Sequence, residues 1–243
     1  MDSFVELSSR QTQILKAIIE EYIATAESVG SETLDKKYNL GVSPATIRNE
    51  MVRLTEMKLL HQSHTSSGRS PTSAALKYYV DHLMKARGMS VAEEVAVKDK
   101  IWDYRQEIDK LLREATKALA EKTHTLALTA TNEGDLYYSG AANILEMPEF
   151  YDYQLTHELL ESLDEYNFWW KVLEQRTDPF SILVGDDLMQ GALAQCGFIY
   201  FKFKTPHVVG AIGVVGPTRL NYSSIIPVVQ YMGGLIDEFA SSW

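Results

Sequence analysis

The 243-residue sequence holds a single cysteine, Cys196, so no disulfide framework can staple it. That thiol sits in the apolar run CGFIYF and reads as a buried structural group rather than a nucleophile. No apolar run approaches the roughly 18 residues that a membrane span requires. The opening MDSFVELSSR lacks the basic and apolar regions of a signal peptide, so a cytoplasmic protein with no membrane partner is expected. No phosphate-cradling Gly loop occurs, and no two of the six histidines stand at the i, i+4 spacing of a helical metal site. Asp186 and Asp187 in VGDDL are adjacent and point differently, which fits a solvated turn better than an acid/base pair. Trp169 and Trp170, beside Phe168, read as core or interface rather than as a ligand cage. Neither a cofactor, nor a metal, nor an enzymatic activity is expected. Internal repeats and low-complexity tracts are missing too.

A surplus of positive charge is also lacking: the net charge is −10, which argues against an anionic partner until its distribution is read. Residues 1–88 carry 11 Lys+Arg against 10 Asp+Glu, whereas residues 89–243 carry 12 against 23, so the acidity is almost entirely C-terminal. Within 36–69, Lys36, Lys37, Arg48, Arg53, Lys58 and Arg69 face only Glu50 and Glu56. A small basic module ahead of an acidic body fits local DNA contact, with the body discouraging non-specific adhesion. With 45% hydrophobic and 23% charged residues, the rest is ordinary globular composition, long enough for one large or two modest domains.

The basic stretch has a legible order. Ser8 with Gln11 makes a capping-box start, after which Ile14, Leu15, Ile18, Ile19, Tyr22 and Ile23 recur at helical spacing. Ser31 is expected to cap a short second helix, ETLDKKY, and NLG at 39–41 supplies a turn. SPATIRNEM at 43–51 then opens a third helix, with Ser43 as N-cap and Pro44 in the first turn. Ile47, Met51 and Leu54 fall on one side; Ala45, Thr46, Asn49 and Arg53 fall on the other, flanked by Arg48. Three helices with a tight turn before the third describe a helix-turn-helix. LLHQSHTSSGRSPT follows, reading as a hairpin wing in which His64, Thr65, Ser66 and Ser67 can donate to phosphate, Gly68 permits close backbone approach, and Arg69 reaches a phosphate or a minor groove. Thr72 can cap a fourth helix.

The pattern lapses at ARGMS (86–90), which sets the expected domains at 1–88 and 89–243. A long charged helix is expected from Val91 to about Lys122, its apolar positions Ile101, Tyr104, Ile108, Leu111, Ala115 and Ala118 packing on its own domain or on a second subunit. Strands are expected at TLALTAT (125–131), DLYYSG (135–140), FSILVG (180–185), CGFIYFKFK (196–204) and HVVGAIGVVG (207–216). Helices are expected from about Tyr153 to Glu174 and from about Ser224 to Phe239, giving an α+β domain with a mostly antiparallel sheet.

RQTQILKAIIEEYIATAESVGSETL, SPATIRNEMVRL and HTSSGRSPTSAALKYYVD closely resemble the winged-helix half of HrcA, the heat-inducible transcription repressor family of bacteria. GAANILEMPEFYD and GAIGVVGPTRLNYSSIIPVV resemble that family's C-terminal body, which is GAF-like. The resemblance implies a winged helix-turn-helix, a long helix and a GAF-like α+β domain. It also implies a homodimeric repressor of chaperone operons on an inverted-repeat operator in double-stranded DNA, with a chaperonin assisting its folding. It carries the recognition-helix motif onto Ser43, Ala45, Thr46, Ile47, Arg48 and Asn49, and the wing onto His64, Thr65, Ser66, Gly68 and Arg69; Arg53 and Lys58 join these as expected DNA contacts. Pro44 stands where the family has a small polar residue. The family's inserted dimerising domain, ahead of the GAANIL-like motif, is missing after Thr131, where only a short stretch stands. Two other readings compete. A ligand-responsive winged-helix regulator would show an apolar pocket in the body, and an enzyme would need perturbed ionisable groups gathered in a cleft.

Overall fold

In the computed structural model, which describes residues 6–64, 67–188 and 191–240, the chain enters helix α1 (Ser9–Thr25) through the reciprocal cap at Ser8. The Ser8 hydroxyl accepts from the Gln11 N–H at 3.3 Å, and Gln11 Oε1 accepts from the Ser8 N–H at 3.0 Å. Helix α2 (Ser31–Lys37) packs on α3 (Pro44–Glu56), which in turn packs on α1. The cap expected from Ser31 is not made: Gly30 is the N-cap, and Ser31 is buried inside the first turn. Instead the far end of α2 is tied down, because Lys37 Nζ pairs with the buried Glu21 carboxylate and the Tyr38 hydroxyl donates to Glu21 Oε2 at 3.3 Å. Burial, then the Glu21 charge, push the Tyr38 pKa up to about 12. Strands β1 (Leu60–His61) and β2 (Ser70–Pro71) form an antiparallel hairpin with Leu60 opposite Pro71. Thr72 accepts from the Ala75 N–H and so caps α4 (Ser73–Tyr78), which widens into a π turn over Tyr79–Leu83. Residues Met1–Lys85 make one unit and Ala86–Trp243 the other.

In the second unit the single long helix expected from Val91 is two: α5 (Val91–Trp102) and α6 (Ile108–Thr123). Neither Gly nor Pro marks the break. At the end of α5 Arg105 Nη1 donates to the Trp102 carbonyl at 2.7 Å, while its guanidinium lies 4.4 Å from the Trp102 ring. The chain then folds back, and Lys122 Nζ meets Glu93 Oε1 at 2.7 Å across the helical hairpin. The apolar positions Ile101, Leu111, Ala115 and Ala118 are buried within this unit, with Tyr104 and Ile108 half-buried. The helix expected over Tyr153–Glu174 also breaks, into α7 (Tyr153–Ser162) and α8 (Tyr166–Glu174). There the Ser162 carbonyl is taken by the Trp169 indole N–H at 2.9 Å.

Strands β3 (Leu126–Thr131), β4 (Leu136–Ser139), β5 (Phe180–Val184), β6 (Cys196–Lys204) and β7 (Val209–Pro217) form one antiparallel sheet in the order β4-β3-β7-β6-β5. β3 passes into β4 through a short turn: the Thr131 N–H donates to the Asp135 carbonyl at 3.0 Å, and Gly134 adopts φ +97°. On one face Leu126, Leu128, Phe198 and Val215 pack with Leu155, Leu159, Trp169 and Leu173 of α7 and α8. The other face meets α6 and α9 (Tyr222–Ala240), where the Thr116 and Thr129 hydroxyls share a buried 2.6 Å hydrogen bond. Covered on both faces, β3 and β7 show no in–out alternation. Arg219 and Glu149 form a two-point ion pair, with Nη2 to Oε2 at 3.0 Å, that joins the GPTR and MPEF stretches across 70 residues. The second unit is thus an α+β domain, following the winged helix in sequence.

Candidate nucleic-acid interface

The geometry of α3 follows from its two ends. At the start Ser43 has extended backbone, its Oγ accepts from the Thr46 N–H at 3.3 Å and shares a hydrogen bond with Thr46 Oγ1 at 3.0 Å, and Pro44 occupies the first turn. At the finish the Lys58 N–H reaches the Thr55 carbonyl and the Leu59 N–H reaches the Leu54 carbonyl, both at 2.9 Å. This is a Schellman stop with Lys58 in the left-handed position at φ +60°, where glycine is the usual occupant. The Thr72 hydroxyl locks that turn by donating to the Lys58 carbonyl at 2.8 Å.

Between these ends Ile47, Met51 and Leu54 are 0%, 1% and 0% exposed, which fixes the rotation of the helix about its axis. Ala45, Arg48, Asn49, Val52, Arg53 and Glu56 consequently face outward and are exposed. Among the described residues, no carboxylate pairs with Arg48. Arg53 is differently placed: its Nη1 donates to Glu50 Oε1 at 3.0 Å, although the side chain remains 61% exposed. Glu50 is itself buried and accepts from Gln11 Nε2 of α1 at 3.2 Å through its other oxygen. A polar chain therefore runs Arg53–Glu50–Gln11–Ser8, pinning α3 to the first turn of α1.

Glu50 was legible in principle, since it stands three residues from Ile47 on the inward side. Its charge argues for solvent, and the residue that satisfies it lies 39 positions away. Val52 is exposed at the middle of the outward face, where an apolar side chain is suited to a thymine methyl group.

The wing is anchored at its root. The Val29 N–H donates to the Arg69 carbonyl and the Arg69 N–H to the Val29 carbonyl, each at 2.9 Å, so the α1–α2 connection adds a bridge to the β1–β2 hairpin. Gly68 is needed for close approach, but the partner is the chain itself: a Cβ there would stand 2.6 Å from the Val29 carbonyl carbon and 2.7 Å from the Ser28 oxygen. Arg69 Nε donates to Thr55 Oγ1 at 2.9 Å. His64 is exposed, and its carbonyl accepts from the Ser67 hydroxyl at 2.7 Å. Thr65 and Ser66, expected at the tip, lie outside the described residues. In the second unit, burial above all pushes the Cys196 thiol up to about 12, as suits a structural cysteine.

Two family models match this chain. One, described as "Winged helix-turn-helix transcription repressor, HrcA DNA-binding", covers residues 6–83, and the other, "HrcA protein C terminal domain", covers residues 48–226. A curated relative named heat-inducible transcription repressor HrcA, from Symbiobacterium thermophilum, is 27% identical over 335 aligned residues spanning 96% of this chain and 98% of its own. That alignment is longer than the 243 residues here, so a large part of the relative has no counterpart. A relative of the same name from Clostridium acetobutylicum is 51% identical over 120 residues, 49% of this chain and 35% of its own. A crystal structure described only as a hypothetical protein shares the fold, with a TM-score of 0.78 at 16% identity over 98% of this chain and 99% of that one. With a capped, outward-facing α3 and an anchored wing in its first unit and a five-stranded α+β fold in its second, the chain belongs to the HrcA family of heat-inducible transcription repressors.

Proposed function

We propose that this chain represses chaperone operons by binding an inverted-repeat operator in double-stranded DNA as a homodimer, one winged helix on each half-site. In this reading α3 enters the major groove. Arg48 and Asn49 read base edges, since guanidinium to guanine and carboxamide to adenine are the favoured pairs, each worth about 1–3 kcal/mol of discrimination. Ser43, Thr46, Arg53, Lys58, His64 and the wing-tip hydroxyls hold the backbone, and a single module of this size needs a second copy for useful specificity. A chaperonin is the partner that would couple stress to release of transcription; the family resemblance supports it. The observation that carries the reading is the exposed Arg48, with no carboxylate partner among the described residues, beside exposed Asn49 on a helix whose rotation is fixed from behind.

A mobility-shift assay should show preference for an inverted repeat from a chaperone promoter over a scrambled duplex. Arg48→Ala should remove that preference without lowering thermal stability. Equal affinity for both duplexes, or a strict monomer on DNA by sedimentation, would refute the proposal.

A further inference from the structure

Arg69 stands in SSGRSP among hydroxyls, a setting that invites a phosphate contact. Its surroundings in the fold assign it other work. The Thr55 hydroxyl donates to the Met51 carbonyl at 2.8 Å, which orients its oxygen as the acceptor for Arg69 Nε at 2.9 Å. Both backbone polar groups of Arg69 are spent on Val29. The next residue, Ser70, shares a hydroxyl hydrogen bond with Ser28 at 2.9 Å, and the preceding Gly68 lies against the Ser28–Val29 backbone. Residues 68–70 are therefore held on one side by the α1–α2 connection and on the other by α3. The hairpin needs this support, because β1 and β2 pair over only two residues each, too few for an isolated ribbon to hold its shape.

We infer that Arg69 is a positioning residue: through Thr55 it sets the angle between the wing and the recognition helix, instead of supplying a phosphate contact. The inference rests on the reading of α3 and the wing as the DNA-contacting pair. Thr55, a half-buried residue of α3, becomes a determinant of operator affinity that touches no DNA.

The test compares Thr55→Val, which keeps the shape and removes the acceptor, with Thr55→Ser, which keeps it, and with Arg69→Ala alone and combined with Thr55→Val. The probe is a duplex selected by the unaltered chain from a random-sequence pool, titrated by fluorescence anisotropy across a salt series. Thr55→Val should weaken binding about 3- to 10-fold, the effect of loosening one charge-assisted hydrogen bond, while keeping the salt slope of the unaltered chain. Thr55→Ser should bind normally, and the double variant should be no weaker than Arg69→Ala. If Arg69→Ala instead lowers the salt slope by about 0.9, the signature of one lost phosphate contact, while Thr55→Val binds normally, the assignment is overturned. Amide exchange in the DNA-free protein gives a reading independent of DNA: Thr55→Val should speed exchange at Val29 and Arg69, and unchanged rates would also overturn it. Failure of the unaltered chain to select any duplex would sink the repressor reading, and the exchange rates would still decide the clamp.

Discussion

Lys58 carries a conflict between stability and binding that a single substitution can separate. Its backbone is left-handed at φ +60°, held there by the Schellman hydrogen bonds and by the Thr72 hydroxyl on its carbonyl. None of these ties involves the Lys58 side chain, which is exposed, so Lys58→Gly keeps the turn and removes the clash between Cβ and the following carbonyl. That relief is worth about 1 kcal/mol. For a cooperative unit of about 60–100 residues, such a gain raises the melting temperature by about 4–8 °C, and the winged-helix unit, Met1–Lys85, is in that range. The same substitution deletes a cation proposed to sit on the DNA backbone, so affinity should fall alike for operator and scrambled duplexes, with the salt slope reduced by about 0.9. Calorimetry of the full chain, read at the transition of the winged-helix unit, measures the first effect, and anisotropy across a salt series measures the second. Lys58→Ala is the control, losing the charge while keeping the strain. A melting temperature that falls or stays level in Lys58→Gly would refute the strain argument, whatever happens to binding.

Three further outcomes are expected. Glu50→Ala strands the Gln11 carboxamide and unties Arg53, and should lower stability by about 1–3 kcal/mol in urea unfolding, with Glu50→Gln milder; an unchanged midpoint would remove the polar chain from the account of α3. Gly68→Ala drives a Cβ into the Ser28–Val29 backbone and should cost about 1–3 kcal/mol, weakening DNA binding while far-UV circular dichroism stays native; normal binding would show that the wing root yields freely. Cys196, its pKa pushed up to about 12 by burial, should resist iodoacetamide at pH 8 until the chain is unfolded, and alkylation of the native protein at the rate seen in guanidinium would contradict that burial.

Elements bounded by local chemistry were legible. The caps at Ser8, Ser43 and Thr72 need only a hydroxyl and the next few N–H groups, and β6 runs over Cys196–Lys204 as its apolar composition predicts. The two helix breaks were not: the carbonyls at Trp102 and Ser162 are covered by Arg105 and Trp169, side chains that read as ordinary helix residues. The same distinction runs through the candidate site. Arg48 and Asn49 follow from helical spacing, which needs no partner. Glu50, Gly68 and Arg69 take their roles from Gln11, from Ser28–Val29 and from Thr55, and an isolated motif carries no trace of those neighbours.

The short β3–β4 connection has a consequence for how such chains vary in length. Thr131 ends β3 and Asp135 stands just ahead of β4, the two facing each other about 5 Å apart across the turn, beside a register that runs from Ala130 opposite Leu136 to Ala127 opposite Ser139. Lengthening the connection at this seam costs little in loop closure, which grows only logarithmically with length. This rim of the sheet is thus a place where chain can be added or removed at small entropic cost.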